Sequence, residues 1–212
     1  MWQPMTVSTQ VDDPKNPAKT ALRARLLTAR SQLTAEERAS AAKALLVLAL
    51  ELPELVRART VAAYVSVGPE PGTRELIEEL RRRGVRVLLP VLMADNDLDW
   101  AVYQGPESLV RAGRGLLEPS GPRLGPHAVV EADTVLLPGL AVDRHGLRLG
   151  RGGGSYDRVL ARLDRAGSTA ALVVLLYANE LLDRVPADPH DRHVTAAVTP
   201  EGVTRFQHPA AP

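Results

Sequence analysis

Between residues 60 and 91 the chain reads "TVAAYVS", then "GPEPG", then "TRELIEELRRRG", then "VRVLLPV". An apolar, β-rich run of strand length gives way to a turn. Leu76, Ile77 and Leu80 then recur on one helical face, Gly84 stops the helix, and a second apolar run follows. Strand, helix and strand in roughly thirty residues is a βαβ unit, whose crossover should be right-handed over a parallel sheet. This constrains the rest of the chain most. A parallel sheet is covered on both faces, so the remaining sequence must supply more apolar strands and helices for two layers. It contains both. "DTVLLPGLAVD" (133 to 143), "TAALVVLL" (169 to 176) and "VTAAVT" (194 to 199) read as strands, and a helix from about Tyr156 to Ala166 turns Val159, Leu160 and Leu163 inward. The prediction is an α/β fold with a mostly parallel central sheet.

Two helices precede this unit. Leu22, Leu26, Leu27 and Ala29 recur at helical spacing, and "TAEE" opens a second helix with Thr34 as cap and Glu37 at the capping-box position. The stretch from Met93 to Val130 is the least regular, with "DLDWAVY" as a strand and "GRGLLEPSGPRLGPH" rich in turns. At 212 residues and 45% apolar, the chain suits one core. The expected domain is 18–206, with loose tails over 1–17 and 207–212. The 26 basic and 25 acidic residues leave a formal charge of +1, which argues against nucleic acid or a membrane surface as partner. No apolar run reaches membrane-spanning length, and the first residues do not form a secretory signal. Absence of cysteine removes disulfides, thiolate nucleophiles and thiolate metal ligands, and fits an intracellular, cytoplasmic enzyme. The oligomeric state is not encoded legibly; a monomer is favoured.

Residues 148 to 158, "RLGRGGGSYDR", hold four glycines and three arginines ahead of a helix. Backbone N–H groups approach phosphate oxygens closely where no Cβ intervenes, and a helix N-terminus adds partial positive charge there. Gly150, Gly152, Gly153 and Gly154 meet both conditions, with Arg148, Arg151 and Arg158 supplying charge. In an open α/β sheet such a loop lies beyond the carboxyl ends of strands, where ligands bind. The loop is neither a Walker A sequence nor the dinucleotide fingerprint. A surface hairpin with solvated arginines is the competing reading. Asp157 would likewise be favourable in a first helical turn without any metal. Glu70 could be a turn acid, His190 and His193 solvated, and Arg81 to Arg83 a solvated helix end.

Five stretches in order, "KTALR" (19 to 23), "YVSVGPEPGT" (64 to 73), "LLEP" (116 to 119), "LPGLAVDRHGLRLGRGGGSYDR" (137 to 158) and "VPADPHD" (185 to 191), resemble the 5-formyltetrahydrofolate cyclo-ligases, also called 5,10-methenyltetrahydrofolate synthetases. The resemblance spans about residues 19 to 200. It implies a three-layer α/β/α fold of the NagB, RpiA and CoA-transferase group. The implied activity is an ATP- and Mg²⁺-dependent ligase of folate one-carbon metabolism, making 5,10-methenyltetrahydrofolate, ADP and phosphate from 5-formyltetrahydrofolate and ATP. By resemblance, the nucleotide is bound by Lys19, Arg23, Arg148, Leu149, Gly150, Arg151, Gly152, Gly153, Gly154, Ser155 and Tyr156. The folate meets Arg23, Val65, Glu70 and Arg151 to Ser155, including Gly152, Gly153 and Gly154. Glu70, Arg151 and Tyr156 are the implied catalytic residues, and Asp157 and Asp191 the implied magnesium ligands. Two departures stand out. Ser155 occupies a position usually aromatic, and Thr195 one often acidic.

The implied chemistry explains the loop. A formamide oxygen leaves poorly as hydroxide, and phosphorylation makes it a leaving group; such a transfer asks the protein mainly for positioning and charge neutralisation. A non-catalytic nucleotide- or folate-binding regulator is the alternative that Ser155 favours. A phosphosugar isomerase or CoA-transferase-like enzyme is the other, and it would not need Lys19 and Arg23.

Overall fold

In the computed structural model, which describes residues 16–188 and 191–206, two helices open the chain, α1 (Pro17–Gln32) and α2 (Ala35–Leu50). The α2 cap follows the sequence reading. The Thr34 hydroxyl accepts from the Glu37 N–H at 3.1 Å and the Glu37 carboxylate accepts from the Thr34 N–H at 2.7 Å, which holds that carboxyl below its ordinary range. Helix α1 begins within the stretch expected to be tail, because Asn16 caps it by accepting from the Lys19 N–H at 3.2 Å and Pro17 is preset for the first turn. The rest of both expected tails, and His190, lie outside the described residues.

The following elements are α3 (Pro53–Val56), β1 (Thr60–Ala62), α4 (Arg74–Arg82), β2 (Arg86–Leu92), β3 (Leu98–Val102), β4 (Leu109–Arg111), β5 (Leu117–Pro119), β6 (Thr134–Leu137), β7 (Ala141–Asp143), β8 (Arg148–Leu149), α5 (Ser155–Arg165), β9 (Ala171–Leu175), β10 (Leu181–Leu182), β11 (Ala196–Thr199) and β12 (Gly202–Arg205). Seven strands form the main sheet in the order β12-β11-β9-β6-β1-β2-β3. Its inner strands are parallel, and β3 and β12 close the two edges antiparallel.

Strand periodicity builds the layers. Val61, Leu136, Val173 and Val198 point into a core with Leu45 of α2 and Leu76, Ile77 and Leu80 of α4. Their neighbours Ala62, Val135, Leu137, Val174 and Ala197 point the other way, into a core with Val159, Leu160 and Leu163 of α5 and the 3₁₀ turn Pro126–Glu131. Adjacent residues alternating between two cores is what a sheet covered on both faces requires. The result is a three-layer α/β/α arrangement.

The sequence reading of β1 as seven residues is corrected to three. Beyond Ala62 the chain leaves the ladder, and the Thr73 hydroxyl holds the departing loop by donating to the Tyr64 carbonyl at 2.6 Å and accepting from the Ser66 N–H at 2.9 Å. Thr73 therefore clamps the loop rather than capping α4. A second small sheet, β10-β7-β8, packs beneath α1 through Leu26, Leu140, Leu147, Leu149 and Val185. This packing carries the first helix of the chain to the loops that follow β6.

Candidate functional site

The chain runs outward from β1 through β2 to β3 on one side of the sheet, and from β6 through β9 and β11 to β12 on the other. The order thus reverses between β1 and β6, and ligands of open α/β sheets bind beyond the carboxyl ends of strands at such a point. The loop after β1 carries Glu70 and the segment after β6 carries the glycine run. They meet: Arg151 Nη1 lies 3.1 Å from Glu70 Oε1, across 81 positions of sequence. The other Glu70 oxygen accepts from the Val67 N–H at 2.8 Å, so the acid is oriented by its own turn and only 10% exposed, whereas Arg151 is 49% exposed. From the third side, the Tyr177 hydroxyl after β9 donates to the Pro69 carbonyl at 3.2 Å.

Within the glycine run the residues divide by role. Arg148 is buried, donating to the Pro138 carbonyl at 2.9 Å and to Asp157 Oδ1 at 2.8 Å. Burial lowers its pKa and Asp157 opposes that shift. A Cβ on Gly150 would sit 2.9 Å from Arg148 Nη1, so glycine there serves internal packing. Gly152 and Gly154 take φ of +93° and +76°, which a side chain would strain. Gly153 is different. Its φ is not positive and a Cβ would meet nothing within 4 Å, so the chain's own contacts do not demand glycine there. Helix α5 starts directly after Gly154 with no side-chain cap, leaving first-turn N–H groups to face whatever occupies the loop. Ser155 is the first residue of α5, and Tyr156 the second. The Tyr156 hydroxyl is buried and makes no hydrogen bond among the described residues; burial raises its pKa, Glu70 raises it further and Arg148 holds it back.

Helix α1 completes the assembly. Arg23 Nε donates to the Gly150 carbonyl at 3.0 Å, a contact 127 positions apart in sequence. Lys19 is 4% exposed, with Nζ 2.7 Å from Asp188 and 2.5 Å from Asp191. Burial alone would lower the Lys19 pKa, but the hydrogen bonds to both aspartates outweigh it and the value is raised. Asp191 Oδ2 also accepts from the Asp188 N–H at 2.7 Å.

The side chains of three other expected residues are engaged in packing or pairing. Val65 is 7% exposed within the core beneath α2 and α4, because the loop after β1 turns it inward. Leu149 is packed against α1, so only its backbone faces the loop. Arg158 is committed to the β2–β3 turn, donating to the Asp95 carbonyl at 2.7 Å, and is not one of the loop's cations.

A model of the 5-formyltetrahydrofolate cyclo-ligase family matches residues 15–200. The chain belongs to that family. It is 47% identical over 153 residues to 5-formyltetrahydrofolate cyclo-ligase of Mycolicibacterium smegmatis, covering 69% of this chain and 76% of that one. It is 31% identical over 176 residues to 5-formyltetrahydrofolate cyclo-ligase of Escherichia coli, covering 82% and 96%. Among solved structures, that of Aquifex aeolicus 5,10-methenyltetrahydrofolate synthetase superposes with a TM-score of 0.77 at 28% identity, covering 91% of this chain and 95% of that one.

Sequence reasoning missed one buried pair that ties these elements together. Arg30 and Glu180, each about 2% exposed, form a bidentate ion pair at 2.6 and 2.8 Å. Arg30 also donates to the Gly139 carbonyl at 2.6 Å and lies 5.6 Å from the Tyr177 ring centre, while Glu180 accepts from the Tyr177 N–H at 2.9 Å. The pair locks α1 to the loops after β6 and β9. Its partners stand 150 positions apart, and no local pattern marks either of them. The donor set for a divalent cation is sparse: no group of three or more His, Asp or Glu is clustered for a metal among the described residues. Magnesium usually takes one or two carboxylates and completes its shell with water and phosphate oxygens; of the two expected ligands, Asp157 pairs with Arg148 at 2.8 Å and Asp191 with Lys19 at 2.5 Å. No helix among the described residues is long and apolar enough to cross a membrane.

Proposed function

We propose that the protein converts 5-formyltetrahydrofolate and ATP to 5,10-methenyltetrahydrofolate, ADP and phosphate, as a soluble cytoplasmic enzyme. The observation that carries the reading is the convergence of the glycine run, Glu70 and α1 at one switch point, in a chain of the cyclo-ligase family. The nucleotide phosphates lie along Gly152 to Ser155 and the first turn of α5, with Arg148, Arg151, Arg23 and Lys19 as surrounding cations.

The formyl oxygen attacks the terminal phosphoryl group, its bond to ADP breaks, and an imino-phosphate remains. The anilino nitrogen of the folate then attacks the former formyl carbon, phosphate departs with the oxygen, and that nitrogen loses its proton. Glu70, held by Val67 and Arg151, faces the cationic folate centre that develops. Tyr156 offers its hydroxyl, kept protonated by burial, as a hydrogen-bond donor. Bound Mg²⁺, on Asp157 and Asp191, would neutralise charge on the phosphates.

The test is formation of the methenyl chromophore from 5-formyltetrahydrofolate with and without Mg-ATP. Appearance only with ATP, with equimolar ADP and phosphate, is expected. Failure to form it under any nucleotide condition overturns the reading.

A further inference from the structure

Beside the crevice a hollow of about 360 Å³ opens between loop 66–68 and the β4–β5 hairpin, lined also by Arg74, Arg111, Leu116 and Leu117. No acidic residue lines it. Arg74 begins α4 and Arg111 ends β4, both exposed, and neither has a carboxylate partner among the described residues. Their neighbours behave otherwise: Arg81, Arg82, Arg83 and Arg86 each pair with a glutamate. Strand alternation puts Arg111 on the same hairpin face as Leu109 and opposite Leu117, and those two leucines pack onto the core beneath α4. Arg111 therefore leaves the hairpin on the side where Arg74 stands. The hollow adjoins the site through Val67, which lines it and whose N–H orients Glu70 at 2.8 Å.

We propose that this hollow is the subsite for the glutamyl tail of the folate, with Arg74 and Arg111 receiving its carboxylates and Leu116 and Leu117 flanking the benzoyl ring. The proposal rests on the cyclo-ligase reading above. A terminal glutamyl group carries two carboxylates, the hollow offers two cations and an apolar wall, and its open side accommodates further γ-linked residues. The nucleotide phosphates are the other dianionic candidate. They are matched already by the glycine run, and this hollow has no comparable backbone cradle.

The experiment measures KM and kcat for wild type, Arg74→Gln, Arg111→Gln and the double variant. The substrates are tail-less 5-formyltetrahydropteroate, the monoglutamate and the pentaglutamate. Both positions are exposed, so the variants fold. Each single change should raise KM for glutamylated substrates by about three- to tenfold, as expected for charged hydrogen bonds partly screened by solvent. KM for the tail-less substrate and for ATP, and kcat, should stay put. Equal losses with and without the tail, no loss at all, or a loss confined to ATP would each overturn the subsite. Wild type that turns over the monoglutamate while the variants ignore the tail removes the hollow alone; wild type inactive on all three substrates removes the cyclo-ligase reading and the hollow with it.

Discussion

Replacing Lys19 with alanine separates a buried structural cation from a surface one. A solvated helix charge would shift stability within about ±0.5 kcal/mol. Lys19 instead sits at 4% exposure between Asp188 and Asp191, whose side chains are 21% and 13% exposed. Removing one partner of a buried pair costs about 3–5 kcal/mol, and the partial exposure of the aspartates brings this toward about 2–3 kcal/mol. In a domain of this size 1 kcal/mol moves Tm by about 2–4 °C, so the melt should fall by about 4–12 °C. The raised Lys19 pKa sets the pH window: the contribution is complete below the ordinary 10.5 and is lost only as pH rises through the higher folded value. The deficit should therefore persist to about pH 10. Adding Asp191→Asn to a Lys19→Met variant removes one of the two charges left behind, and should recover at least about 1 kcal/mol in the double-mutant cycle. Two of the three Nζ donors are committed to the aspartates, so the loss of ATP affinity should accompany the stability loss rather than stand alone. Thermal melts without ligand, beside kinetics over an ATP series, provide the readout. A Lys19→Ala melt indistinguishable from wild type, or no coupling to Asp191, would refute the reasoning.

Glu70→Gln should lower turnover with the folate by at least about tenfold while leaving ATP affinity nearly unchanged, since the lost charge belongs to the loop after β1; equal damage to both substrates would make it a turn acid. Gly153→Ala should leave the melt unaltered and weaken ATP binding, whereas Gly150→Ala should lower Tm as well, because its methyl meets Arg148; similar effects in both would contradict the division of roles within the loop. Chelation by EDTA should abolish turnover and magnesium restore it, and robust activity in EDTA would remove Asp157 and Asp191 from metal binding. Hydrogen bonds from Arg81, followed by those from Tyr103, pull the Glu78 carboxyl down to about 2. Its contribution is present above the ordinary 4.5 and disappears as pH falls through about 2, so acid melts of Glu78→Gln should converge with wild type in that interval and diverge above it.

What the sequence disclosed was whatever is written locally. The capping box of Thr34 and Glu37, the inward face of α4, the apolar strands and the glycine run each carry their signal within a dozen residues. Long-range pairings were hidden. The small sheet joins Val142 to Leu181, and Arg30 finds Glu180, with no periodicity linking either partner to the other. The three-residue hairpin strands β4 and β5 are too short for alternation to register, and β12 follows β11 through a tight turn in a stretch read as the end of the domain. Lys19 and Arg23 entered through family resemblance, and only α1 packing on the small sheet gives them a physical reason to reach the loop. Val65 shows a different limit: β1 ends at Ala62, and residue order along a strand does not reveal where the strand stops.

The wide sequence separation between α1 and its partners also orders events during synthesis. Helix α1 leaves the ribosome first, yet Arg23 waits for Gly150, Arg30 for Glu180 and Lys19 for Asp191. Until those segments emerge, α1 has an apolar face with nothing to cover it, and contacts of such high sequence separation close slowly. Only the β1–α4–β2 unit is built from nearer neighbours, and its pairing does not involve α1. Nascent chains can therefore pair β1 with β2 before α1 finds its partners, whereas β11, which completes both cores, emerges only after Asp191.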